Sequence, residues 1–191
     1  AAYLATVKGR NQVTLSFRVP GIVELIGPEE GRGDWREGSP VRRGQLLARL
    51  NQADFQTAVH SASAQAELDR AQFERAARLL KDGAASQQDY DRARAAMLGS
   101  DAALKLRQQD LQDSRIVAPL DGTLLKREVS AGETVAAGQP LLTVADLSEV
   151  EVEVGVPDRL VGQLEAGTRV QIEVSALGAG RHEGRVTEVG V

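Results

Sequence analysis

Hydrophobic and polar positions divide the chain into three parts with different patterns. Before residue 52, short apolar or β-branched runs alternate with glycine and proline, which is typical of strands and turns. The middle part carries apolar residues at helical spacing, and the last part returns to the strand pattern. Strands are predicted in the first part at residues 3–8, residues 12–17, Ile22–Ile26 and Leu46–Leu50.

The first long helix is predicted from Ala53 to Lys81, a stretch that contains no glycine or proline and is rich in Ala, Gln, Glu and Arg. Its apolar positions alternate in steps of four and three, which is typical of a coiled coil. Asp69 occupies a position at which this spacing predicts an apolar residue. The positions are Phe55, Val59, Ala62, Ala66, Phe73, Ala76 and Leu80.

A second helix is predicted from about Gln87 to about Asp113, after a break at residues 82–86. Ser86 is a natural N-cap, and Asp89 three residues later completes a capping box with Asp in place of Glu. A short break between two long helices requires an antiparallel hairpin. The apolar positions of the second helix are Tyr90, Ala93, Met97, Leu104 and Leu111, and Ser100 and Arg107 interrupt this series. Ion pairs between residues four apart are predicted for Glu74–Arg78 in the first helix and Asp101–Lys105 in the second.

One sequence pattern occurs on both sides of this hairpin. Residues 38–50 and 132–144 match at a constant offset of 94, and Pro20–Val23 matches Asp121–Leu124 upstream. Similar halves that are far apart in sequence usually pack into one pseudo-symmetric unit, so the helices must leave that unit and return to it. This organisation favours a bridging role over catalysis.

Strand patterns dominate again after residue 147. Val150, Val152, Val154 and Val156 alternate with period two and predict a strand. A short helix is predicted over residues 157–164, followed by strands at Val170–Val174 and Gly184–Val189. Together these elements predict a small β-barrel that is incomplete at the C-terminus. The abrupt ends of the chain suggest a mature or truncated fragment whose membrane anchor is missing.

Composition excludes several classes of function. The chain has 191 residues, enough for one or two domains, and only 3% aromatic residues, too few for a thick core. Its net charge of −4 is spread along the chain without a basic face, which excludes nucleic acid as a partner. The absence of cysteine excludes disulfides, thiol nucleophiles and cysteine metal sites. No apolar run approaches the roughly 20 residues of a membrane span.

Residues suited to catalysis or metal binding are sparse and scattered. The two histidines, His60 and His182, have no nucleophile at a suggestive spacing, and Met97 lies far from both in sequence. We therefore predict no catalytic residue, no cofactor and no metal site.

Two stretches carry a resemblance to a known family. Arg78–Asp91 is similar to the hairpin tip of the periplasmic adaptors, or membrane fusion proteins, of tripartite efflux pumps, and Ile116–Gly122 to their return from the hairpin. The resemblance implies an α+β fold. A lipoyl-like (barrel-sandwich hybrid) β domain is split by an inserted antiparallel coiled-coil hairpin and followed by a partial β-barrel domain.

The implied domain boundaries follow the changes in pattern. Residues 1–17 are assigned to strands of the β-barrel or a linker, 18–51 to the first lipoyl-like half, 52–114 to the hairpin, 115–147 to the second half, and 148–191 to the incomplete β-barrel.

The family's tip motif of Arg, Leu and Ser is matched in spacing by Arg75, Leu79 and Ser86. The resemblance implies that these residues contact the outer-membrane channel. Arg75 and Leu79 lie four apart and share a helix face, where Leu can fill a groove between partner helices and Arg can bind their carbonyls or carboxylates. The same pair is also common on ordinary helices, and Ser86 can serve only as a cap.

The resemblance also implies partners and a location. It implies a non-enzymatic adaptor in the periplasm, tethered to the inner membrane through a segment outside this chain. Its partners would be an outer-membrane channel, an inner-membrane transporter and further copies of itself, hexameric in the complex. The short hairpin and the tip motif favour a transporter of the resistance-nodulation-division type.

Two other readings stay open. An adaptor of an ABC-type exporter or a type I secretion system belongs to the same broad family. A lipoyl or biotinyl carrier belongs to another class and needs a modified Lys at the tight turn between its halves. Helices replace that turn here, and Lys8, Lys81, Lys105 and Lys126 all lie elsewhere.

The first half departs from the second by an insertion. Gly21 and Gly38 are seventeen residues apart, whereas Gly122 and Gly132 are ten apart. The seven additional residues fall within Gly27–Glu37, which holds Trp35, the only tryptophan. We expect a loop in which Trp35 covers local apolar surface, with packing on the hairpin base or on a neighbouring subunit as alternatives.

Overall fold

The structure is a computed structural model that describes residues 5–28, 34–156, 165–173 and 181–189. These residues form two helices, α1 (Ala53–Lys81) and α2 (Gln87–Asp113), and ten strands. The strands are β1 (Ala5–Leu15), β2 (Gly21–Ile26), β3 (Pro40–Val41), β4 (Leu46–Leu50), β5 (Arg115–Val117), β6 (Gly122–Arg127), β7 (Thr134–Val135), β8 (Leu142–Val154), β9 (Arg169–Glu173) and β10 (Arg181–Arg185).

The chain divides into two compact units, and the boundaries fall inside two strands. One boundary lies between Lys8 and Gly9 in β1, and the other between Glu149 and Val150 in β8. The larger unit, residues 9–149, contains the hairpin and two four-stranded sheets, in the orders β1-β8-β6-β3 and β5-β4-β2-β7. The strands predicted at residues 3–8 and 12–17 are confirmed over residues 5–8 and 12–15, but the predicted break between them is wrong, because residues 9–11 continue a single strand from residue 5 to residue 15.

The two sequence halves exchange equivalent hydrogen bonds, as their repeat predicts. The Gly38 amide donates to the Leu124 carbonyl at 2.8 Å, and the Gly132 amide donates to the Val23 carbonyl at 2.8 Å. In turn β3 pairs with β6 and β7 pairs with β2. Gly38 and Gly132 both have φ near +88°, a conformation that glycine adopts without strain. Each half therefore completes the other, and the predicted pseudo-symmetric unit is confirmed.

The core of the larger unit draws on both sheets. Leu47 and Leu50 of β4 and Leu124 of β6 have no exposed surface. Phe17 is also fully buried in this core, and Leu15 packs against it, although the sequence analysis assigned both to a preceding segment. Trp35 packs on the same core and donates its indole N–H to the Leu46 carbonyl at 3.0 Å, so its predicted covering of local apolar surface is confirmed.

Both helices begin and end as predicted. At 1.5 Å per residue, their 29 and 27 residues span about 40 Å. The predicted seam residues are buried or half-buried apart from Arg107, and Ala66 is the most buried at 4% exposure. Asp69 is half-buried in this seam and accepts a hydrogen bond from Gln65. Few large side chains meet along the seam, so it buries little area per turn.

The predicted ion pairs within single helices are wrong. Asp101 pairs across the seam with Arg70, at 3.1 Å, rather than with Lys105. Arg78 donates to the backbone carbonyl of Glu74 and not to its carboxylate. Antiparallel packing brings Arg70 within reach of Asp101, and the fold alone creates that proximity.

The smaller unit is described only in part. In it β9 and β10 form an antiparallel pair, with His182 opposite Ile172 and Gly184 opposite Val170. The predicted strand at Val170–Val174 is confirmed up to Glu173. The strand predicted at Gly184–Val189 lies earlier, at Arg181–Arg185, since its pairing partners are the residues of β9. The short helix predicted over residues 157–164 lies outside the described residues.

Within the described parts of the chain, neither helix is apolar enough over its length to cross a membrane.

Candidate functional site

The first helix ends in a tightly hydrogen-bonded turn. The Ala84 amide donates to the Leu79 carbonyl at 2.7 Å, and the Gly83 amide donates to the Leu80 carbonyl at 3.1 Å. This is the Schellman arrangement, which needs a left-handed residue after the cap, and Gly83 supplies it with φ +71°. Further down the hairpin, the rings of Phe73 and Tyr90 lie 5.3 Å apart across the seam. The hairpin tip, residues 75–89, therefore has a defined backbone.

The second helix begins with the predicted capping box. The Asp89 amide donates to the Ser86 hydroxyl at 3.2 Å, and the Ser86 amide donates to the Asp89 carboxylate at 3.3 Å. The Ser86 hydroxyl also donates to that carboxylate at 2.6 Å. The hydrogen bond from the Ser86 hydroxyl, and to a smaller extent the one from its backbone amide, holds the pKa of Asp89 below its ordinary value.

Replacing Ser86 by alanine should destabilise the hairpin by about 1 kcal/mol, since an N-terminal amide of α2 loses its partner. Thermal unfolding followed by circular dichroism at 222 nm measures the change. Gln88→Ala, at an exposed position two residues into the helix, is the matched control and should leave the unfolding temperature unchanged.

The same box makes the tip sensitive to acid. Because the pKa of Asp89 is lowered in the folded state, its contribution is fully present above the ordinary Asp pKa of about 3.9 and is lost as pH falls through the lower folded value. The unfolding temperature of Ser86→Ala should therefore fall less between pH 5 and pH 3 than that of the unmodified chain. Parallel pH profiles would contradict this.

All three predicted contact residues are exposed. Leu79 is 47% exposed, and Arg75 and Ser86 lie on the surface as well. No ion pair of Arg75 occurs among the described residues. Leu79 and Ser86 flank the Schellman turn on its two sides, whereas Arg75 lies one helical turn below Leu79.

An open groove runs between the helices closer to the β unit. It is lined by small and polar side chains: Ala58, Ser61, Ala62, Gln65, Ser100, Ala103 and Arg107. In a coiled coil, residues seven apart occupy the same side of the helix. Counting by sevens from Ser61, Gln65 and Arg107 leads to Arg75, Leu79 and Ser86. This heptad spacing therefore predicts that all three contact residues lie on the side of the hairpin that carries the groove, here called the groove face.

The opposite side is more highly charged. The Arg70–Asp101 ion pair crosses the seam there. Leu98 is three residues before Asp101 and so shares its side of α2. Counting by sevens from Leu98 gives Asp91 and Lys105. We call this side the ion-pair face. Leu98 is 54% exposed, similar to Leu79 at 47%, so the two leucines differ mainly in the face on which they lie.

Two polar residues at the base of the hairpin, Gln52 and Ser114, were not predicted from the sequence. Ser114 has no exposed surface, and its hydroxyl accepts a hydrogen bond from the Gln52 side chain at 2.9 Å. The available signal was position: these residues directly flank the two helices.

No group of three or more His, Cys, Asp or Glu residues that could hold a metal ion occurs among the described residues.

This architecture matches the model of a known protein family. Residues 11–146 match the model of the CzcB-like, barrel-sandwich hybrid domain. The chain is 32% identical over 122 residues to the antibiotic efflux pump periplasmic linker protein ArpA of Pseudomonas putida, covering 63% of this chain and 33% of that protein. It is 30% identical over 170 residues to the multidrug resistance protein MexA of Pseudomonas aeruginosa, covering 81% and 44%. The chain thus spans less than half the length of these relatives.

Solved structures have the same fold. A MacA-MexA chimeric protein, containing the Pseudomonas aeruginosa MexA α-hairpin domain, superposes with a TM-score of 0.79 at 26% identity, covering 97% of this chain and 67% of the chimera. The membrane fusion protein Spr0693 of Streptococcus pneumoniae superposes with a TM-score of 0.73 at 17% identity, covering 98% and 82%.

The predicted fold class and the resemblance to periplasmic adaptors are both confirmed by these matches. The family match covers the split β unit and the whole hairpin, which are the parts that carry the sequence repeat and the tip. The chain therefore belongs to the family of CzcB-like barrel-sandwich hybrid domains, whose relatives include periplasmic linker proteins of efflux pumps.

Proposed function

We propose that this chain belongs to a periplasmic adaptor subunit of a tripartite efflux pump, which links an inner-membrane transporter to an outer-membrane channel. The hairpin tip docks on the channel through Arg75, Leu79 and Ser86. The observation that carries this assignment is that these three residues are all exposed at a tip whose backbone is ordered by the Schellman turn and the capping box.

The chemistry of the contact follows from the residue types. Leu79 offers apolar surface that a groove between two partner helices would bury. Arg75 adds a fork of donors for carbonyl or carboxylate groups along that groove. Ser86 supplies a hydroxyl beside them while capping α2. Since the Schellman turn and the capping box already order the backbone, docking costs little conformational entropy.

The rest of the assembly is proposed with it. The protein acts in the periplasm without catalysis, tethered to the inner membrane by a segment outside this chain, and its copies assemble as a hexamer in the complex. The transporter is of the resistance-nodulation-division type. The relatives described as efflux pump periplasmic linkers support this reading.

A pull-down from outer-membrane extract tests the channel contact. Arg75→Asp and Leu79→Asp should each reduce the retained channel protein at least about tenfold, because each places an unpaired charge in the contact. Leu98→Asp is the matched control on the ion-pair face and should retain as much channel as the unmodified chain. Helicity by circular dichroism must be equal in all four proteins.

Two results would contradict the proposal. Equal retention by all four proteins would place the contact away from the tip. Loss of retention in Leu98→Asp together with the two tip variants would show that any charge on the hairpin abolishes binding, and the groove face would have no special role.

A further inference from the structure

The structure connects the hairpin to the β unit through very short segments. Only Asn51 and Gln52 lie between β4 and α1, and only Ser114 lies between α2 and β5. We call these three residues the hairpin root. We propose that the hydrogen bond between Gln52 and Ser114 is a clasp that sets the direction in which the hairpin leaves the β unit.

Four hydrogen bonds connect Ser114 to the neighbouring segments of the chain. Its hydroxyl donates to the Leu111 carbonyl at 2.7 Å and accepts from the Gln52 amide nitrogen Nε2 at 2.9 Å. Its carbonyl accepts from the Leu50 amide at 2.9 Å, and its own amide donates to Asp110 at 3.0 Å. One fully buried residue therefore joins α2 to β4 and, through Gln52, to the start of α1.

The Gln52 side chain makes this contact and has no capping role in α1. It occupies the N-cap position of α1, but its side chain forms no cap hydrogen bond. Asn51 performs the capping instead, accepting from the Ala53 amide at 3.0 Å. The Gln52 side chain is thus available to cross to Ser114. Because the Ser114 hydroxyl is buried, leaving this hydrogen bond unmade is costly, and the bond therefore fixes geometry.

The other contacts at the base hold direction less well. Phe55 packs on the core, but an apolar contact is not directional. Arg18 and Asp113 are 3.7 Å apart, and the Arg18 side chain is 78% exposed, so solvent screens the pair. The half-buried clasp is consequently the directional side-chain contact of the root, beside the backbone bond from Leu50 to Ser114.

A small change at the root becomes a large displacement at the tip. For helices about 40 Å long, a rotation of about 10° at the base moves the tip by about 7 Å. The consequence for function rests on the channel contact proposed above. If the tip docks on the channel, such a displacement would misplace Leu79. Gln52 and Ser114 are then positioning residues for a site at the far end of the hairpin.

Pairs of spin labels measure the direction of the hairpin without any partner. The chain has no native cysteine, so Gln88→Cys at the tip and Ala137→Cys on an exposed turn of the β unit can be labelled selectively. In this background, Gln52→Ala and Ser114→Ala should broaden the distance distribution about twofold, since the clasp is lost in either case. The double variant should be no broader than Ser114→Ala alone.

Controls separate positioning from general destabilisation. Gln109→Ala removes the exposed bond from Gln109 to Asp113, close to the root but outside the clasp, and should leave the distribution unchanged. The milder Gln52→Ala keeps the test valid if Ser114→Ala fails to fold. An unchanged distribution in Gln52→Ala, with an unchanged unfolding temperature, would overturn the clasp. A broadened distribution in Gln52→Ala with undiminished channel retention would argue only against the tip contact, so the two proposals fail independently.

Discussion

Gly122→Ala should destabilise the β unit by about 3 kcal/mol, a large loss for a single methyl group. A Cβ at residue 122 would overlap the carbonyl oxygen of Ala145 and lie 2.8 Å from its carbonyl carbon. Both atoms belong to the backbone of β8, which pairs with β6 at this point, so neither can move without breaking the ladder. Urea unfolding followed by the fluorescence of Trp35 reports on this unit, because Trp35 packs on its core.

The sequence repeat supplies a matched control for this change. Gly21 is the counterpart of Gly122, but a Cβ at residue 21 would first meet the end of the Leu50 side chain at 3.0 Å. A side-chain end can shift, so Gly21→Ala should cost about 1 kcal/mol or less. Equal losses at the two positions would contradict the argument from backbone contact.

Phe17→Ala should cost about 3–5 kcal/mol, which is the usual loss for a fully buried phenylalanine. Phe17 has no exposed surface, and its carbonyl accepts a hydrogen bond from Gly138 at 2.9 Å. The substitution therefore opens a cavity where the first strand meets a turn of the second half. Urea unfolding with Trp35 fluorescence measures the loss, and circular dichroism at 222 nm follows the hairpin separately.

Arg18→Ala is the control for Phe17→Ala, since the neighbouring Arg18 side chain is 78% exposed. It should change the free energy of unfolding by less than about 0.5 kcal/mol. A loss below about 1 kcal/mol in Phe17→Ala would show that the core does not depend on this residue.

Local signals were sufficient for the hairpin. The absence of glycine and proline from Ala53 to Lys81, the alternating apolar steps and the capping box at Ser86 and Asp89 all act within a few residues of each other. The same range of interaction explains why the ion pairs could not be predicted. Asp101 had a candidate partner four residues away, yet its partner Arg70 is thirty-one residues away in sequence.

The sequence by itself determined the split repeat, both helices and the capping box of α2, because periodicity and spacing are properties of neighbouring positions. Only the tertiary structure decided that Phe17 lies in the core, that Gly122 is closed in by β8, and that Ser114 is buried against Gln52. These outcomes depend on which distant segments meet, and the pairing of segments far apart in sequence is a property of the whole fold.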